Sequence, residues 1–322
     1  MGMKEAAVDY TRSMDDVAGC AHAMARGERM ESLHDEEGGS VPDPALTGGE
    51  VIDAHVHLFP ERVFEAIWRW FDRHAWTVRY RLRAEEVVEF MRGHGVSAIV
   101  ALHYSHKPGM ARVLNQFAAE IGRAHRDFVL PLGTVLPGEP DAREIVREAL
   151  GPLGLHGIKL HCHVQKMAAD DPALDEVYQA CVDAGKTVLI HAGREPCSLA
   201  YGIDAHALCN VARVESVLRR FPELRMVVPH LGADEFEPYA ALLPKYEHLY
   251  LDTTMSVAGF FPRDASWELV AKIAERLLYG TDFPNIPFAW DRELRRLVQS
   301  PIAQGARHAL FSANARALFQ RG

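Results

Sequence analysis

Two histidines one residue apart, His55 and His57, close a short apolar run that begins at Val51. Alternate side chains of an extended strand share a face, so both imidazoles can grip one metal ion, with Asp53 expected on that same face. Two further runs end in histidine, at His191 and His230, and Asp282 follows a fourth in Gly280-Thr281-Asp282-Phe283-Pro284. His55, His57, His191 and Asp282 make a mixed nitrogen and oxygen donor set, suited to Zn²⁺ at roughly 2.0–2.2 Å with one position open to water or substrate. Such an ion lowers the pKa of its water from 15.7 to about 7 and polarises a carbonyl. His230 is then left to steady an oxyanion or shuttle a proton, and Asp282 to take up the proton of the water.

These residues meet only if a particular architecture brings them together. From residue 51 onward, short β-branched apolar runs alternate with stretches of helical period, the pattern of a parallel sheet with helical crossovers. Strands are expected at 51–55, 97–102, 128–132, 157–161, 187–191, 226–230, 249–252 and 277–280. Helices are expected at 84–93, 110–125, 141–150, 172–184, 211–221, 267–276 and 292–299. Eight such units match a (β/α)₈ TIM barrel, whose active sites sit at the C-terminal ends of the strands, where these histidines and Asp282 lie. An open doubly wound sheet competes, but no glycine-rich dinucleotide loop follows the first strand. Phe64, Ile67, Trp68, Trp70, Phe71 and Trp76 crowd together after that strand, a cluster that reads as core, subunit contact or a flap over the substrate.

Residues 1–48 form an acidic N-terminal extension and linker, and residues 49–322 the barrel domain. Positions 1–50 carry 4 basic and 11 acidic groups, against 35 and 44 in all 322 residues, so the remainder is close to neutral. Inside the extension Ser13 caps a short candidate helix along Met14, Val17, Ala21 and Met24. The net charge of −9 argues against nucleic acid as a partner. No apolar run reaches the roughly 20 residues of a membrane helix, and the first residues lack a signal-peptide core. Five cysteines without Cys-x-x-Cys spacing fit free thiols, hence an expected cytoplasmic location.

The residues resemble a known family. His55-Val56-His57, His191, His230 followed by Gly232, the Gly280–Pro284 segment and the closing Ser312–Phe319 stretch are similar to the amidohydrolase-2 branch of the amidohydrolase superfamily. That branch includes aminocarboxymuconate-semialdehyde decarboxylase, other aromatic-acid decarboxylases and lactone hydrolases. The resemblance covers residues 51–320 and implies one zinc held by His55, His57, His191 and Asp282, with His230 catalytic. It also raises Lys159, because two-metal members of the superfamily use a carboxylated lysine from the fourth strand. Pairing of Lys159 with Asp53 is the simpler expectation, and one divalent ion is expected.

The small-molecule pocket is expected from His161, Tyr104, Gln165 and Arg194, with His106, Glu195, Tyr201 and His206 nearby. Arg194 either clamps a substrate carboxylate or is paired internally. Hydrolysis of an ester, lactone or amide by metal-activated water is the first expected activity. Non-oxidative decarboxylation of an aromatic or unsaturated acid is the alternative, and a non-catalytic metal-stabilised barrel the third reading. A homodimer is expected from the aromatic cluster and the family.

Overall fold

The computed structural model describes residues 35–261 and 263–320. The candidate helix after Ser13 lies outside them, as does Cys20. The strands, all parallel to their neighbours, are β1 (Ile52–His57), β2 (Ala98–Leu102), β3 (Val129–Pro131), β4 (Gly133–Thr134), β5 (Gly157–His161), β6 (Thr187–His191), β7 (Met226–Val228), β8 (Leu249–Asp252) and β9 (Leu277–Leu278). β3 and β4 are one barrel strand interrupted at Leu132. The N–H of Leu132 donates to Ala101 of β2, whereas Gly133 and Thr134 pair with Ile158 and Lys159 of β5. Eight staves therefore run in the order of the chain.

The ring closes between its first and last staves. Val56 bridges Phe283 in parallel, the N–H of Ala54 donates to the Tyr279 carbonyl, and the N–H of His57 donates to the Phe283 carbonyl. The fold is a (β/α)₈ TIM barrel.

A register shift in β1 corrects the expected face of Asp53. Pairing with β2 runs Ile52 to Ala98 and Asp53 to Ile99, then skips, so that Val56 meets Ala101 and His57 meets Leu102. The extra residue reverses the alternation. Ile52 and Leu102 share one buried cluster with Val100, Leu130, Leu189, Val227 and Leu278, whereas Ile99, Ala101 and Val56 pack in the other. His57 thus falls in register with the first group and Asp53 with the second. Ala315, Leu318 and Phe319, from a C-terminal helix over Asn314–Phe319, join that first cluster. Fully burying an apolar side chain of this kind stabilises by roughly 1.5–3 kcal/mol.

Among the crossovers, the helices at Ala84–Gly93 and Arg292–Gln299 have the expected bounds. A helix the periodicity did not suggest covers Glu61–His74. It carries most of the aromatic cluster: Phe64 is buried and stacks on Trp68, and Trp70 packs against Tyr201 with ring centroids 4.6 Å apart. Residues 35–50 lie against the barrel, where the Asp35 carboxylate accepts from the Ala289 N–H and from Arg292, and the Val41 N–H donates to the His94 carbonyl. Cys162, Cys181, Cys197 and Cys209 are free thiols. Among the described residues, no helix is long and apolar enough to cross a membrane.

Candidate active site and metal centre

His55, His57, His191, His230 and Asp282 line one cavity at the C-terminal rim, together with Tyr104, Lys159, His161, Glu195 and Asn285. Its outer wall is Phe71, Trp76, Tyr201 and Phe261, so part of the aromatic cluster borders the site. The enclosed space is about 30 Å³. Substrate pockets usually span ~300–1,000 Å³, so the cavity in this structure is smaller than a substrate-sized pocket. A larger groove of about 700 Å³, lined by Arg112, Val113, Phe117, Ile145 and Leu153, runs over the outer helices and has none of these histidines.

Local backbone geometry presents the reactive side chains. His230 (φ 58°) and Asp282 (φ 68°) both occupy the left-handed region, a conformation that costs a non-glycine residue of order 1–3 kcal/mol and persists where the surroundings enforce it. At His230 the enforcement is visible: its backbone N–H donates to Asp252 Oδ1 at 2.9 Å, and a Cβ on the neighbouring Gly232 would fall 1.9 Å from the Tyr239 ring. Gly280 lets β1 pass close, since a Cβ there would lie 2.4 Å from Thr254 Oγ1 and 2.7 Å from His55 Cβ.

Three of the imidazoles have their tautomers set by what each outer nitrogen faces. His55 Nδ1 meets the Asp252 carboxylate at 2.8 Å, His230 Nδ1 the Thr254 carbonyl at 2.9 Å, and His191 Nε2 the Glu195 carbonyl at 2.8 Å. Each partner is an acceptor, so each outer nitrogen carries the hydrogen. Burial favours the neutral ring throughout: it lowers the pKa of His55 to about 4, takes His191 well below its ordinary value and lowers His230. The inner nitrogens are therefore lone pairs. Yet His191 Nδ1 and His230 Nε2 face each other at 3.1 Å, and His55 Nε2 faces Asp282 Oδ1 at 3.4 Å. His57 Nε2 lies 2.9 Å from that same oxygen.

Lone pairs opposed at such separations repel unless positive charge sits between them. Donor atoms on a tetrahedral ion with bonds near 2.1 Å are about 3.4 Å apart, so this arrangement fits a divalent cation. Outer hydrogen bonds that fix the ring and its tautomer are what metal-ligating histidines require. Asp282 suits the same role. Burial alone would raise its pKa, but the hydrogen bond with His57 holds it below the usual carboxylate range.

The four expected ligands are not drawn equally close. Potential donor atoms of His55, His57 and Asp282 lie within 4.8 Å of one another, and those of His191 do so with His161 and His163. His230 joins the two groups, its ring centroid 5.4 Å from that of His55 and 4.7 Å from that of His191.

Of the expected pocket residues, Tyr104 packs edge-on against His57 and His161. Gln165 is a staple instead: it accepts from the His161 N–H and donates to the Ser105 and Val135 carbonyls. Arg194 is ion-paired with Glu235 at 2.7 Å and lies 3.5 Å from Asp234, and it does not line the cavity. The expected Asp53–Lys159 pair is absent, because Asp53 accepts from Thr281 Oγ1 at 2.6 Å and from the His55 N–H. Lys159 is wholly buried with its Nζ unpartnered, and burial lowers its pKa to about 8 despite the carboxylates of Asp252 and Asp282. Asp252 was not singled out from the sequence. Asp252 ends a strand that was expected, so its place at the rim was the available signal.

A closed parallel barrel carrying histidines and a carboxylate at its C-terminal rim defines a class of metal-binding barrel enzymes. The amidohydrolase family profile matches residues 52–321, and the chain belongs to that family, in its amidohydrolase-2 branch. Among curated proteins there is no match. Solved structures share the fold. An uncharacterized TIM-barrel protein from Bordetella bronchiseptica is 21% identical over 84% of this chain and 98% of its own, with a TM-score of 0.67. A 4-oxalomesaconate hydratase from Rhodopseudomonas palustris is 16% identical over 84% and 96%, with a TM-score of 0.58. A 5-carboxyvanillate decarboxylase from Novosphingobium aromaticivorans with bound manganese is 16% identical over 85% and 98%, with a TM-score of 0.61.

Proposed function

We propose that this protein is a metal-dependent hydrolase that cleaves an ester, lactone or amide of a small organic molecule, with zinc held by His55, His57, His191 and Asp282. The observation that carries the reading is the 3.4 Å approach of the His55 Nε2 lone pair to Asp282 Oδ1, with His57 Nε2 2.9 Å from the same oxygen, a convergence that a cation reconciles. A divalent ion there supplies Lewis acidity toward a carbonyl and makes water acidic near neutral pH. His230, steadied through Nδ1 by Thr254, offers Nε2 to accept and return a proton. Asp282 serves as ligand, and His230 as proton carrier. The aromatic wall excludes bulk water.

Decarboxylation of a small carboxylic acid is the second reading, favoured by the unpartnered Lys159 Nζ in the cavity, which suits an anionic substrate. The decarboxylase among the similar structures points the same way. Assay of a panel of esters, lactones, amides and carboxylic acids, with carbon dioxide release recorded, separates the two. His230→Asn is expected to retain zinc and lose turnover by 10²-fold or more, about the contribution of one acid–base group. His55→Asn is expected to lose zinc as well. Retention of full activity in His230→Asn overturns the reading.

A further inference from the structure

The carbonyl that fixes the His230 tautomer is itself held in place. His230 Nδ1 donates to the Thr254 carbonyl at 2.9 Å, and the Ser256 hydroxyl donates to the same oxygen at 3.2 Å. That oxygen belongs to the peptide unit joining Thr254 to Met255, whose N–H donates to Glu293 Oε2 at 2.7 Å. The unit is planar and trans, so its C=O and N–H point in opposite directions, and orienting one orients the other. Glu293, one peptide unit and His230 therefore lie along a single chain of hydrogen bonds.

Glu293 stands in the first turn of the helix at Arg292–Gln299 and is 1% exposed. Its other oxygen, Oε1, accepts from the Val257 N–H at 3.1 Å, so both oxygens are taken up by one loop after β8. Within that loop Met255 lies in the left-handed region at φ 58°, a conformation that costs a non-glycine residue of order 1–3 kcal/mol. What enforces it is Glu293 on one side and Asp252 on the other, whose Oδ1 accepts from the Thr254 N–H at 3.1 Å. Met255 also lines the cavity, which puts the held peptide at the site itself. Burial raises the pKa of Glu293 well above the usual carboxylate range against these two bonds, and an oxygen that accepts from Met255 serves in either state.

We propose that Glu293 is a positioning residue for His230, acting through the Thr254–Met255 peptide to keep the ring hydrogen on Nδ1 and leave Nε2 as the lone pair. Hydrogen bonds linked in a chain polarise one another, so the bond from the Met255 N–H strengthens the Thr254 carbonyl as an acceptor. The inference rests on the proposed role of His230 as proton carrier only for its effect on turnover, because the tautomer is a property of the fold.

The test is nitrogen-15 NMR of the histidine rings in zinc-loaded, full-length protein, where a nitrogen bearing hydrogen and one bearing a lone pair resonate far apart. The His230 signals are those missing from His230→Asn. Wild type is expected to show Nδ1 protonated and Nε2 bare. Glu293→Met, which fills the space without an acceptor, is expected to show a mixture of the two tautomers and to retain zinc in full. On the best substrate of the panel above, its turnover is expected to fall about 10-fold or more with KM within about 2-fold, the pattern of an interaction made in the transition state. Glu293→Gln keeps one acceptor for two N–H groups and is expected to fall between wild type and Glu293→Met; it decides the matter if the methionine variant does not fold. Asp264→Asn loosens the same loop at Gly259, whose N–H donates to that carboxylate at 2.9 Å, and is expected to leave the His230 tautomer as in wild type. A wild-type His230 spectrum in Glu293→Met, or in Glu293→Gln where only that variant folds, overturns the inference, as does an equal shift in Asp264→Asn. Mixed tautomers with undiminished turnover support the positioning role and overturn His230 as proton carrier.

Discussion

The carboxylate of Asp252 grips His55 and His230 at once, receiving the His55 Nδ1–H on Oδ2 at 2.8 Å and the His230 backbone N–H on Oδ1 at 2.9 Å. One side chain at the end of β8 thereby orients the ring of a candidate ligand and holds the left-handed backbone of the candidate proton carrier. Asp252→Asn retains the shape and removes the charge that fixes the His55 tautomer. Zinc affinity is expected to fall about 10–100-fold, the usual cost of losing such a partner, as read by chelator competition. Unchanged affinity would remove Asp252 from the metal centre.

Gly280→Ala places a methyl group against Thr254 and the Cβ of His55. Overpacking of this kind costs about 1–3 kcal/mol. A lowered melting temperature together with weakened zinc uptake is expected, because the atom displaced belongs to a candidate ligand. Loss of stability alone, with uptake intact, would show that the strand gives way elsewhere.

Arg194 is expected to matter for folding and not for substrate. It pairs with Glu235, a buried carboxylate that also accepts from the Val211 N–H. Arg194→Met leaves that carboxylate uncompensated, at a cost of about 3 kcal/mol or more in urea denaturation. A variant with normal stability and a raised KM for acidic substrates would restore the substrate-clamp reading.

Acid stability offers a separate check through His103, which is buried beside Asn115 with its Nε2 3.2 Å from Oδ1. Burial lowers its pKa from 6.5 to about 4, so the unfolded chain binds the proton more readily than the native one. Its neutral form fits the fold fully above about pH 6.5, and stability drops as pH falls toward 4, by up to about 3 kcal/mol from this group. His103→Gln keeps a donor for Asn115 and removes the titration. Its unfolding free energy is expected to fall less steeply across that interval, and an identical slope would contradict the assignment.

Legibility in the sequence followed the range of the interaction. β5 and β6 lie where their apolar runs end, and the histidines at 55, 57, 191 and 230 and Asp282 reached one rim, because strand period and barrel topology are local or generic properties. Asp53 was misplaced since strict alternation takes no account of the extra residue in β1, which only pairing with β2 reveals. The partner of Arg194 is 41 positions away, and that of His55 is 197 positions away. Neither spacing has a periodic signature. The Glu61–His74 helix was obscured by its own aromatic residues, which read as a cluster before they read as a helical face.

The seam at which Val56 meets Phe283 has a thermodynamic consequence. His57 and Asp282 are neighbours only because the opening and final staves are joined, so an ion bound by both acts as a clasp across that joint. Its binding energy adds to the cohesion of the whole cylinder, and stripping it should loosen the molecule first along that line.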